Sequence, residues 1–534
     1  MKKRAGIRSL LAGALAAAAL VAGANMALAA TTYIRGNDSD PETLDQHKTS
    51  TVSEAHLMRD LYEGLVIYDA KANVIPGVAE SWTVSEDGTV YTFTLREDAR
   101  WSNGDPVTAE DFVFSFRRIQ DPATGAKYAT IQYPIKNAEK INKGEMDPSA
   151  LGVRAVDDRT LEITLERPTP YFLELLTHQT GLPLHKASVE EYGSDFVKPE
   201  NMVTNGAYRL VSVTPNDKIV MEKNEHFREA DTVAIERIEY IPFEDRSACV
   251  RRFEAGEVHS CSDLPAEQLK SIRARLGDQV RTPPYLGTYY YALNTQNEAL
   301  SDPRVRMALS MVIDREFIAE EIWSGSMLPA YSIVPPGIGN YVDNPPQYEW
   351  ADEPLLDRED KAIELMREAG YGPDKPLELE LSYNTSENHK NTATAIADMW
   401  APLGVNVTYN VRDGSAHYAH LRDSDDYQVA RAGWIGDYSD PQNFLFLVRE
   451  DNTGFNYAKY RNPEYDALLD KAAAETDLEK RAEVLAEAER VFLRDTPFIP
   501  ILYYSSHSLV SDRLKGWEDN IQNVHATRFM SLSE

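Results

Sequence analysis

Arg431 lies in the run Ala430, Arg431, Ala432, Gly433 and Trp434, among small apolar residues where a cation is costly unless it meets an anion. That run ends a β-prone segment, and Gly433 lets another backbone approach closely. Asp437, in GDYSDP, has by residue type alone the character of a turn or helix cap before Pro441. Arg422, in LRDSDD, has carboxylates beside it and suits a solvated surface pair. His389, after Asn388, suits a satisfied loop histidine, and Trp434 a core aromatic. Patterns for catalysis are missing. There is no G-x-S-x-G elbow and no H-E-x-x-H helix. The 11 histidines include no H-x-H or H-x-x-x-H pair suited to a metal. Acid pairs such as Asp157 with Asp158 and Asp425 with Asp426 fit solvated turns. Triads are assembled in space rather than in sequence, so a secreted hydrolase stays as a remote alternative.

Cys249 and Cys261 are the two cysteines of the chain and form no C-x-x-C motif, which argues against a redox or zinc role. They stand 12 residues apart, in a helix (CVRRFEAG) that returns into a strand (EVHSC). In an exported chain an even count favours a disulfide, with two buried thiols as the alternative.

The elements that must carry these residues alternate. Residues 89–95 (TVYTFTL) and 160–165 (TLEITL) have the period-two pattern of strands. Residues 108–118 have helical periodicity, with Thr108 as cap and Glu110 and Asp111 at the positive end of the dipole. Longer helices are expected over 303–324, 357–369, 386–401 and 477–494, with short strands over 377–383, 405–411 and 428–432 between them. This interleaving predicts an α/β fold with an open sheet and crossover helices.

The first residues place a basic head, Lys2 to Arg8, before an apolar run and small residues ending at Ala29. They form a signal peptide over 1–29, cleaved after Ala29 or Ala30. No later segment has the uncharged run of about 20 apolar residues needed to span a membrane. Without a Cys at the cleavage point, the mature protein is expected to be soluble rather than lipid-anchored. The remaining roughly 500 residues call for two or more domains. A formal net charge of −30 makes nucleic acid an improbable partner, and spread-out acid serves solubility.

Residues 61–119, LYEGLVIYDAKANVIPGVAESWTVSEDGTVYTFTLREDARWSNGDPVTAEDFVFSFRRI, closely resemble the signature of the peptide- and nickel-binding family of ABC-importer receptors, family 5 of the extracellular solute-binding proteins. The resemblance continues through VTNGAYRL (203–210), PYLGTYYYALNTQ (284–296), DPRVRMALSMVIDRE (302–316), LSYNTSENHK (381–390) and VARAGWIGDYSDPQNFL (429–445). It implies a three-domain clam-shell of class II type. Domain I would take 30–62, 185–286 and 505–534, domain II 63–184, and domain III 287–504, with the ligand enclosed between I and III. It implies a monomeric periplasmic receptor, not an enzyme and without a cofactor, whose partners are short peptides and an inner-membrane ABC permease.

A receptor for peptides of varied sequence must grip the backbone and both termini. On the family's pattern, Asp437 receives the α-ammonium, and Arg431, Arg422 and His389 meet the carboxylate directly or through water. Gly433 gives backbone access, and Trp434 walls a water-filled side-chain pocket. Tyr128, Val52, Ser262 and Tyr504 match further lining or backbone-contact positions. Trp323 stands where the best-known oligopeptide receptors place a lysine, and Ser50 where they place an acid. Gly287 and Ile435 replace two of their cysteines. A specialised solute such as a murein-derived peptide is the alternative cargo, and gripping unfolded chains is a side role open to the same groove.

Overall fold

The structure is a computed structural model that describes residues 31–37, 40–49, 51–243, 245–412, 414–452 and 454–533, with backbone alone at 414 and 415. The leader over 1–29, its cleavage after Ala29 or Ala30, and Ser50 lie outside the described residues.

Alternating sequence gives sheets. Strand Val90–Leu95 buries Tyr91, Phe93 and Leu95 on one face and pairs antiparallel with Ala79–Val84 and Thr160–Thr164, which is flanked by Val153–Asp157. Helix Ala109–Gln120 covers this four-stranded sheet, burying Phe112, Phe116 and Ile119 at i, i+4 and i+7. Its start is fixed by a capping box, in which Asp111 accepts from the Thr108 amide at 2.9 Å.

A seven-stranded sheet runs in the order Val280–Arg281, Ser508–Val510, Ser260–Cys261, Thr32–Asn37, Arg237–Pro242, Lys218–Lys223, Tyr208–Thr214. One continuous core joins it to the four-stranded sheet, with Tyr33 and Tyr240 in the same cluster as Phe93 and Phe112; we call this the first lobe. A smaller cluster holds Phe253, Leu264, Ile272 and Leu509. There Cys249 and Cys261 form a disulfide that ties helix Arg246–Glu254 to strand Ser260–Cys261.

The second lobe is built on a six-stranded sheet in the order Met327–Pro329, Phe498–Ser505, Pro284–Leu293, Val429–Ile435, Leu377–Asn384, Val405–Arg412. Leu377–Asn384 and Val405–Arg412 are parallel, connected through the crossover helix Glu387–Trp400. The helix expected over 303–324 is broken into Pro303–Met311, Arg315–Phe317 and a wide turn Ile318–Ile322. Asp314 restarts it by accepting from the Phe317 amide at 2.9 Å. The fully buried Arg315 takes the carbonyls of Ser310 and Ile313 at 3.1 and 3.2 Å, carbonyls that a continuous helix would use itself. The strand expected over 428–432 is longer, extending through Trp434 to Ile435.

Among the described strands the chain passes between the two large sheets at residues 282–283 and 506–507. These crossings lie side by side, the Ser506 amide donating to the Pro283 carbonyl at 3.1 Å. Two short adjacent connections between separate cores are the arrangement of a hinge.

Candidate functional site

A cleft of about 510 Å³ opens beside the two crossings. Val52, Ser262 and Tyr504 all line it, with Tyr285, Trp323 and His507. Val52 is the first residue of helix Val52–Leu61, where Thr51 and Glu54 form a capping box, and it stays 51% exposed despite being apolar. Ser262 is set by its own hydroxyl and amide, which both donate to the Gly36 carbonyl, at 2.9 and 3.1 Å.

Strand Val429–Ile435 supplies the polar wall. One edge is paired along its whole length, from Val429 opposite Leu293 to Ile435 opposite Gly287. On the other edge, ladder pairing stops after Val429 with Leu381 and Ala430 with Ser382. The Gly436 amide bonds the Leu286 carbonyl at 2.8 Å. By alternation the main chain of Arg431, Gly433 and Ile435 therefore faces the open edge. His417 takes the Arg431 carbonyl at 2.8 Å, leaving Gly433 and Ile435 free on this edge for another extended chain. A Cβ on Gly433 would lie 2.8 Å from the Tyr504 hydroxyl, so any larger residue here would displace that side chain.

The side chain of Arg431 is buried and donates to Asn384 at 3.0 Å, to the Tyr418 hydroxyl at 2.9 Å and weakly to the Tyr504 hydroxyl at 3.4 Å. Its guanidinium lies 4.5 Å from the centre of the Tyr289 ring. Burial opposes the charge, but Tyr289, Tyr504 and Tyr418 overcome this and hold the group above its ordinary value. Among the described residues no carboxylate lies within ion-pair distance of it. His389, in the first turn of the crossover helix, meets the Tyr289 hydroxyl at 3.2 Å. Burial, with Arg431 and His417 adding to it, pushes His389 down to about 3, so it is neutral near pH 7.

Beyond the strand, Asp437 is exposed at the protein surface, yet surrounding protein raises its carboxyl above the usual range through desolvation. It has no hydrogen-bond or ion-pair partner among the described residues. Trp434, half-buried, donates to Asn443 at 2.8 Å and packs edge-on against Phe446 and Phe455. Arg422 lies exposed on helix Gly414–Asp423, one turn after Tyr418 and beside the Tyr457 hydroxyl. The surface pair that LRDSDD suggests does not form, and Asp425 meets Lys459 at 3.2 Å instead. Tyr128 is half-buried against His178, outside the residues that line the cleft.

The structure thus brings Arg431, Gly433, His389 and Tyr504 into one cluster joined to the cleft, places Val52 and Ser262 on the cleft wall, and leaves Arg422 and Tyr128 at its periphery. Sequence reasoning missed Tyr289, Tyr418 and Asn384, the neutral shell of Arg431. The tyrosine run 289–291 was a signal for the first, whereas no local pattern marked the others.

Residues 73–456 match the profile of the bacterial extracellular solute-binding proteins, family 5 Middle. The chain is 38% identical over 529 residues to the periplasmic oligopeptide-binding protein OppA of Salmonella typhimurium, covering 98% of this chain and 96% of that one. It superposes on the unliganded open form of the periplasmic murein tripeptide binding protein MppA with a TM-score of 0.90, at 36% identity, covering 94% of this chain and 98% of the other. Against Haemophilus influenzae OppA in complex with the peptide RPPGFSPFR the TM-score is 0.67, at 36% identity and with coverage of 94% and 99%. At the same identity and nearly equal coverage, the chain superposes more closely on the unliganded open form of MppA than on the peptide complex of OppA.

Proposed function

Because the chain belongs to the bacterial extracellular solute-binding proteins of family 5, we propose that it is a periplasmic receptor that captures short peptides by their backbone and termini and delivers them to an ABC importer. The observation that carries this reading is the open edge of strand Val429–Ile435, with an unpaired cation at Arg431 and an unpaired carboxylate at Asp437. The strand from Arg431 to its end at Ile435 already spans about 13 Å, so the two charges suit the opposite termini of a short extended peptide rather than a single amino acid.

In this reading the ligand adds a strand along the open edge, drawing on the main chain of Gly433 and Ile435. Asp437 receives the α-ammonium, and Arg431 the carboxylate. The Asn384, Tyr418 and Tyr504 shell holds the guanidinium without neutralising it. Neutral His389 offers a hydrogen bond rather than a charge, and Arg422 lies within reach of the shell for longer ligands. Trp434 walls a side-chain pocket whose water adapts to different residues. Val52, Ser262 and Tyr504 line the cleft onto which Tyr285 also opens, with Tyr128 near its edge. Domain I (30–62, 185–286, 505–534) and domain III (287–504) close over the ligand about the crossings at 282–283 and 506–507, with domain II (63–184) fused to domain I. The relatives are named for what they bind, which supports a non-catalytic receptor, and we take it to act as a monomer. A murein-derived peptide is the second reading, favoured by the likeness to a murein tripeptide binding protein; it too presents an amine and carboxylates.

Calorimetry with trialanine and its N-acetylated form tests the assignment. The free peptide is expected to bind at least about 30-fold tighter, the equivalent of about 2 kcal/mol for one lost partner of a buried charge pair. Equal affinities would overturn it.

A further inference from the structure

The loop that carries Asp437 is held by both lobes. In its own lobe, Asp440 is fully buried and takes both guanidinium nitrogens of Arg481, at 2.8 and 2.7 Å. Ser439 accepts from the Gly339 amide at 2.9 Å, and Asn443 donates to the Tyr438 carbonyl at 3.2 Å. The Tyr438 hydroxyl also donates to Gln442, and Asn340 donates to Asp440 at 3.3 Å. A further hold comes from the first lobe. Tyr171 lies flat on Tyr438, with ring centres 4.6 Å apart and planes within 4°. Although the loop extends from the six-stranded sheet, Tyr438 packs against the core of the seven- and four-stranded sheets. Nearby, Glu174 approaches the second lobe, its Oε1 lying 3.4 Å from where a Cβ on Gly339 would sit.

The Tyr171 ring also lies 5.9 Å from the Arg481 guanidinium. Beside it, a cavity of about 270 Å³ is lined by Arg167, Pro168 and Tyr171 of the first lobe and by Arg449, Asp470 and Arg481 of the second. Stacked rings tolerate sliding better than interdigitated side chains do, since their attraction is spread over a face. A small stacked contact distant in sequence from both strand crossings is therefore suited to persist while the lobes move.

We propose that Tyr171 is a positioning residue for the amine end of the ligand. By stacking on Tyr438 it fixes the backbone next to Asp437, so that the carboxylate is in place before the lobes close and the contact acts as a pivot for their rotation. Tyr171 itself touches no ligand in this scheme. The inference rests on the reading of Asp437 as the ammonium partner.

The test compares dissociation constants for trialanine and N-acetyl-trialanine by calorimetry in the full chain and its variants. Tyr171→Ala is expected to lower the ratio of the two affinities about three- to tenfold, the scale of one lost aromatic pair. Tyr171→Phe, which keeps the ring, stays near the parent ratio. Tyr171→Leu fills much of the space without a ring and carries the test if the alanine variant fails to fold; the same loss is expected. A merely structural role would lower the melting temperature without moving the ratio. An unchanged ratio in the Ala and Leu variants, while Asp437→Asn abolishes discrimination, would overturn the role of Tyr171 alone. If Asp437→Asn also leaves the ratio unchanged, the ammonium assignment fails and the proposal falls with it.

Discussion

Replacing Arg431 by Met separates binding from folding. In the free protein the guanidinium is buried with three neutral partners, two of them at 3.0 and 2.9 Å and one at 3.4 Å. Hydrogen bonds to a charged group contribute about 1.5–3 kcal/mol each, and the longest of these contributes least. Against them stands the desolvation of an unpaired charge, several kcal/mol in a protein interior. The two nearly cancel, so Arg431→Met should shift the unfolding free energy by less than about 2 kcal/mol, read from urea unfolding. Met also preserves the apolar stem that packs on Tyr289. With a ligand carboxylate present the balance changes, because breaking a buried ion pair costs about 3–5 kcal/mol. Trialanine affinity should then fall by roughly two to three and a half orders of magnitude, measured by calorimetry. A variant that binds within about threefold of the parent while unfolding far more easily would refute the reasoning and make Arg431 a purely structural cation.

Asp437→Ala should weaken peptide binding by more than about 2 kcal/mol; in the parent, acidification should weaken it too, since a protonated carboxyl cannot pair with the ammonium, and an unchanged dissociation constant would remove Asp437 from the site. Burial pushes the Glu174 carboxyl from an ordinary value of 4.5 up to about 8, with Asp440 adding to the effect. The folded chain therefore holds a proton that the unfolded chain releases, and this stability is full at low pH and lost as pH rises toward 8. Glu174→Gln should flatten that slope, as melting temperatures between about pH 5 and pH 8 would reveal; an unaltered slope would contradict the assignment. Removing the Cys249 to Cys261 bridge should cost about 3 kcal/mol, the entropy of a loop of this length, with no change in trialanine affinity because the cysteines do not line the cleft. A large affinity change on reduction would show that the bridge shapes the site.

Local patterns were the most legible part of the chain. The capping box at Thr108 and the alternation over 90–95 appear where sequence places them, because each is decided by residues a few positions apart. The break near Asp314 was hidden, since it depends on a buried arginine reaching the Ala330 and Pro500 carbonyls, the latter 185 residues away. In the site, Arg431 was legible from the cost of a cation among small apolar neighbours. Its shell was not, because Asn384, Tyr418 and Tyr504 are brought to it by a splayed strand, a helix without clear periodicity and a strand 73 residues on. Asp437 could not be told from a turn cap by its neighbours, and what distinguishes it in space is the lack of a partner. Tyr438 carried no signal at all, since its stacking partner lies in the other lobe.

Native mass spectrometry of the protein purified from periplasm, followed by denaturation and sequencing of whatever small molecules are released, tests the central claim most directly. The account predicts a mixture of short peptides, varied in sequence and free at both ends. A single defined species that is not a peptide, or an empty protein whose melting temperature no peptide shifts, would contradict it.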